Sequence, residues 1–88
     1  MDQRTARERN RVGNEANLAF GAACLAVHDV SQATADRTLS EDVRLLVDEM
    51  AISQDQLLDL FSAGAHASVC ELALSIVVLA DRISMLIE

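Results

Sequence analysis

Two residue pairs in this chain are spaced for joint chemistry. Cys24 stands four positions before His28, and His66 stands four before Cys70. On a helix, side chains at i and i+4 share a face, so each pair offers a thiol and an imidazole in one direction. Two such pairs set face to face would supply a tetrahedral Cys₂His₂ ligand set, suited to zinc. Against that stands a plainer reading. Structural zinc sites draw their cysteines from tight C-x₂-C knuckles, and none occurs here. An isolated Cys more often serves as a small apolar residue at the edge of a core. The expectation is therefore no cofactor, with a structural metal site at Cys24, His28, His66 and Cys70 as a lesser alternative. A Cys24–Cys70 disulfide would require Cα atoms within about 7 Å, which spacing alone does not decide.

Catalysis has less support still. Beside Cys24 there is one His and no third group to orient it, so the parts of an activated nucleophile are incomplete. Glu41-Asp42 and Asp48-Glu49 are the densest acidic clusters. They fall at helix starts or on solvent faces, where carboxylates complement the helix dipole. No glycine-rich phosphate loop is present. The chain reads as a non-enzyme.

A third pattern touches nucleic acid. The stretch LLVDEMAISQDQLLDLF (45–61) resembles a helix-turn-helix, with Leu46, Met50, Ile52, Leu57 and Leu60 at the internal apolar positions. The resemblance implies that Gln54 and Gln56 read bases while Arg4, Arg7 and Arg11 clamp phosphates. Two positions depart from the motif: Val47 replaces the usual small residue, and Ala51 the turn glycine. Asp55 and Asp59 in the would-be recognition helix would face phosphates. DNA binding is the alternative reading, and a helical corner inside a bundle is the favoured one.

Charge supports that order. The 88 residues carry 14 acids against 7 Arg and no Lys, a net charge of −7. Four of the Arg lie in residues 1–12, so the body of the chain is strongly acidic and repels nucleic acid and anionic lipid. The basic segment 1–11 is expected to fray as a solvated end. The longest apolar runs, LAFGAACLAV (18–27) and LALSIVVLA (72–80), fall well short of the roughly 20 residues that span a bilayer. No membrane partner is expected. With no secretory signal the expected location is cytoplasmic, and in that reducing compartment the two Cys are expected to be thiols rather than a bridge.

The elements that would position these residues are helical. There is no Pro, Trp or Tyr, and Ala, Leu, Glu, Gln and Arg dominate, all strong helix formers. A first long helix is expected over about 3–34, with a stripe of Ala16, Phe20, Ala23, Val27 and Val30. A second follows a capping box at Thr38-Leu39-Ser40-Glu41, with Leu39, Val43, Leu46 and Met50 facing inward. A third, short helix is expected to open at Ser53-Gln54-Asp55-Gln56, carry Leu57, Leu58, Leu60 and Phe61, and stop at Gly64. The fourth starts near Ser68 and carries Val69, Leu72, Ile76, Leu79, Ile83 and Leu86 in a 3-4-3-4-3 rhythm.

The expected fold is one all-α domain over 1–88: a small four-helix bundle with two long helices, first and last, and two short ones. Leu18, Ala22 and Leu25 on the first helix lie off its core stripe, as do Leu74, Val78 and Met85 on the last. Those six residues are read as an association surface, and exposed apolar patches of this kind mark contact sites. Ala19 with Ala23 and Ala22 with Ala26 allow a close helix approach there. The bundle is expected to be completed by homodimerisation. Its expected function is non-catalytic regulation by binding another protein, as an adaptor or as an inhibitor or anti-activator.

Overall fold

The structure is a computed structural model that describes residues 3–87, with side chains for residue 11 and for residues 13–87. It contains three helices, α1 (Gln3–Thr34), α2 (Glu41–Ser62) and α3 (His66–Ile87), and no strand among the described residues. The all-α expectation holds at that level. The fourth helix does not form.

The difference lies in the middle of the chain. The break expected at Ser53 is absent, and α2 runs through it without interruption. A capping signal is local, whereas the buried residues Val43, Met50 and Leu57 recur every seven positions across the supposed break. Seven residues are close to two helical turns, so that stripe stays on one face only if the helix is continuous. No Gly or Pro lies between 41 and 62 to break it.

The helix ends follow from named residues. Ser40, not Thr38, caps α2: its hydroxyl accepts from the Val43 amide at 3.4 Å, while Glu41 and Asp42 in the first turn complement the dipole. The α2–α3 turn is a Schellman motif. The Gly64 amide donates to the Phe61 carbonyl at 3.1 Å and the Ala65 amide to the Leu60 carbonyl at 3.1 Å. Gly64 sits at φ +74°, where a side chain would be strained. That turn delivers the chain straight into α3, whose first intrahelical bond runs from the Val69 amide to the Ala65 carbonyl. The expected start at Ser68 is thereby moved back to His66. At the other end, the Arg37 guanidinium donates to the Ile87 carbonyl, placing a cation on the last turn of α3.

That contact also fixes direction. Arg37 follows the end of α1 and touches the end of α3, so α1 and α3 run parallel and α2 antiparallel to both. The centre is α3. Val69, Ala73, Ile76, Ala80 and Ile83 are buried along it, against Ala16, Ala23, Val27 and Val30 of α1 and Val43, Met50 and Leu57 of α2. Phe20 is only partly buried, and its ring stacks on Phe61 at 4.3 Å between centroids, joining α1 to α2. Leu86, expected in the seam, is exposed instead, because the buried stripe of α3 drifts toward Ala73 and Ala80. Among the described residues no polar or charged residue is buried.

The molecule is slender, 57 × 20 × 15 Å with a radius of gyration of 15.4 Å. A typical domain of this length has a radius near ~12 Å. Its accessible surface of 6322 Å² exceeds the ~5,000 Å² usual for a folded monomer of this mass. A single layer of core thus leaves much apolar surface outside.

Ile76 is fully buried at the centre of α3. Ile76→Ala is expected to destabilise the fold by about 2–5 kcal/mol, read from the urea midpoint, while a loss under about 1 kcal/mol would show that α3 is not the shared core.

Candidate functional site

On α1, the buried positions Ala16, Ala23, Val27 and Val30 face inward, and Phe20 turns toward α2. Advancing about 100° per residue places Leu18, Ala22 and Leu25 on the opposite flank, beside α3. On α3 the same count puts Leu74, Val78 and Met85 on the flank beside α1. These two parallel helices therefore make one broad face, turned away from α2. Leu18 and Met85 are each 75% exposed, Leu74 66% and Leu25 65%, too much to count as core edge.

An open groove of ≈ 400 Å³ runs down the middle of that face, lined by Ala19, Ala22, Cys70, Ala73, Leu74 and Val77. The alanines form it, because a small side chain at the seam leaves the space a Leu would fill. Of the six residues expected at an association surface, Ala22 and Leu74 line this groove, and Leu18, Leu25, Val78 and Met85 are exposed on the same two helices. Cys70 and Val77 complete the lining. They stand four before and three after Leu74, so the helical period around Leu74 was the signal for them.

The thiol–imidazole quartet is not assembled. Cys70 opens into the groove beside Ala22. Cys24, two positions from Ala22, points about 200° away around α1, on the side where Phe20 meets α2. Both cysteines are free and half-buried, and His28 and His66 are exposed. Among the described residues no group of three or more His, Cys, Asp or Glu is placed to hold a metal ion.

The nucleic-acid residues are scattered too. Arg4 and Arg7 lie outside the residues with described side chains. Arg11 is exposed, and its Nε lies 3.9 Å from Glu15 Oε1. Gln54 is half-buried, and Gln56 lines a shallow groove between α2 and α3 that also holds Glu71, an acid where a phosphate would sit. Residues 45–61 lie wholly within α2. The turn between two helices that the helix-turn-helix resemblance requires is therefore missing, since nothing at Ala51 bends the chain.

Every acid from Glu15 to Asp81 is exposed, so none sits in a desolvated pocket of the kind that tunes a catalytic group. No helix of the described residues is long and apolar enough to cross a membrane. The feature that stands out is the α1–α3 face.

Because Cys70 on α3 opens into the groove while Cys24 points away from it around α1, the protein purified without reductant is expected to titrate two thiols per chain with a disulfide-exchange reagent. No titratable thiol, with two regained on reduction of a chain that is not cross-linked to another, would show that the two cysteines meet. Comparison with known proteins finds no matching family model, no matching curated protein and no matching solved structure.

Proposed function

We propose that this protein is a non-catalytic interaction module that acts by docking the α1–α3 face on another protein, as a small adaptor or as an inhibitor or anti-activator. One observation carries the reading: an apolar groove between α1 and α3, lined by Ala22 and Leu74 among others, on two helices that also expose Leu18, Leu25, Val78 and Met85. Scattered surface leucines are ordinary, but a continuous patch is costly to leave in water and marks a contact surface.

The occupant that suits such a face is helical. A groove floored by alanine between two parallel helices accepts a helix ridge, and the flanking leucines then close on its sides. Acidic charge over the rest of the body disfavours nucleic acid and anionic membranes as the target. The other large apolar residues that stand exposed, Leu45, Ile52, Leu58, Phe61 and Leu86, include the pair Leu45 and Ile52 on α2, which is bordered by Asp48, Glu49 and Asp59.

The test is affinity capture from the native host with wild-type protein and with a Leu18→Glu/Leu74→Glu variant. Both substitutions fall at exposed positions, so helicity by circular dichroism is expected to be unchanged. Proteins held by the wild type and lost by the variant support the reading. An identical captured set from both would overturn it.

A further inference from the structure

We infer that the α1–α3 face is self-complementary and is covered by a second copy of this chain, set antiparallel across it. The inference rests on the reading of this face as a docking surface and names its occupant. Area comes first. α3 is 22 residues long, about 33 Å, and two helices side by side are about 20 Å wide. Each copy thus offers ~650 Å² and a pair ~1,300 Å², within the range of stable interfaces. An apolar patch of this kind is what homodimer interfaces bury.

Charge then selects the arrangement. The groove lining sets a common level on the two helices, Ala19 and Ala22 on α1 with Cys70, Ala73, Leu74 and Val77 on α3. Arg11 and Asp29, both exposed, stand nine residues on either side of residue 20. They are five helical turns apart and so point the same way, out of the face. His66 and Asp81, also exposed, are placed symmetrically about the same level on α3. A two-fold axis crossing the helices at this level lays α1 antiparallel on α1 and α3 antiparallel on α3. Arg11 of each copy then meets Asp29 of the other, and His66 meets Asp81. Leu18 comes over Ala22, a large side chain above a small one, and Leu74 lies beside its own copy at the axis. The parallel arrangement, with α1 over the second copy's α3, instead sets Asp29 next to Asp81 twice, a like-charge contact. Arg11 can turn to the second copy because its contact with Glu15 is long and solvent-exposed. A target protein using this face would compete with the second copy, so target binding is linked to dissociation of the dimer.

Leu74 is the position to test. In a Cys24→Ser/Cys70→Ser background, Leu74→Cys is expected to form an intermolecular disulfide on mild oxidation, because the axis brings the two Cα atoms to bonding distance. Val78→Cys in the same background should stay unlinked, since its copies lie ~13 Å apart along the helices. Light scattering should give a dimer for the wild type and a helical monomer for Leu18→Glu/Leu74→Glu. Arg11→Asp should weaken dimerisation about ten-fold, and adding Asp29→Arg should recover most of that loss. A wild-type monomer at high micromolar concentration overturns the second copy as occupant while the capture experiment still decides the docking reading. A dimer that survives Leu18→Glu/Leu74→Glu likewise overturns the second copy as occupant of this face, and linking through Val78→Cys rather than Leu74→Cys overturns the antiparallel arrangement.

Discussion

The fold depends on one constraint, that α3 must bury apolar residues against both of its neighbours at once. Its buried residues Val69, Ala73, Ile76, Ala80 and Ile83 meet α1 on one side and α2 on the other. The short Schellman turn at Gly64 fixes α2 against α3, and the bond from Arg37 to Ile87 ties the end of α1 to the end of α3. Between α1 and α2 the Phe20–Phe61 stack supplies the link. Such a bundle has a thin core, because small side chains fill so much of the seam. Its two outer helices are packed mainly on one side, and the flank of α1 beside α3 is left to water.

Much of this was legible in the sequence, for a physical reason. Apolar residues at helical spacing over 16–30 and 69–83 needed no tertiary information, and most of them are buried where the period put them. The absence of Pro and the density of helix formers made the all-α class secure. The misreading came at Ser53-Gln54-Asp55-Gln56, where a local capping pattern competed with a longer-range one. The heptad spacing of Val43, Met50 and Leu57 won, since burying three residues outweighs one side-chain hydrogen bond at a cap. Leu86 was misplaced because a strict 3-4 rhythm assumes a straight seam, and the seam of α3 slides toward its alanines.

The candidate site divides the same way. Leu18, Ala22, Leu25, Leu74, Val78 and Met85 could be grouped from the sequence because a period says which residues are off the core stripe. That α1 and α3 place those flanks side by side, as one face with a groove, could not. That required the topology, with α1 and α3 parallel neighbours and α2 behind them. The Cys and His pairs failed for the complementary reason. Spacing of four puts a thiol and an imidazole on one face of a helix, but the orientation of each helix about its own axis decides whether two faces meet. Here Ala22 takes the groove, so Cys24 turns away from Cys70.

If the bundle is completed by a second copy, association is linked to folding, and stability must depend on concentration. The most direct measurement is the thermal midpoint of the wild type by circular dichroism across a roughly hundred-fold range of protein concentration. A chain whose α1–α3 face is covered by its own copy is expected to gain roughly 5–8 °C over that range. A midpoint that stays constant throughout would contradict the account, showing a bundle that is stable with its broadest apolar face in water.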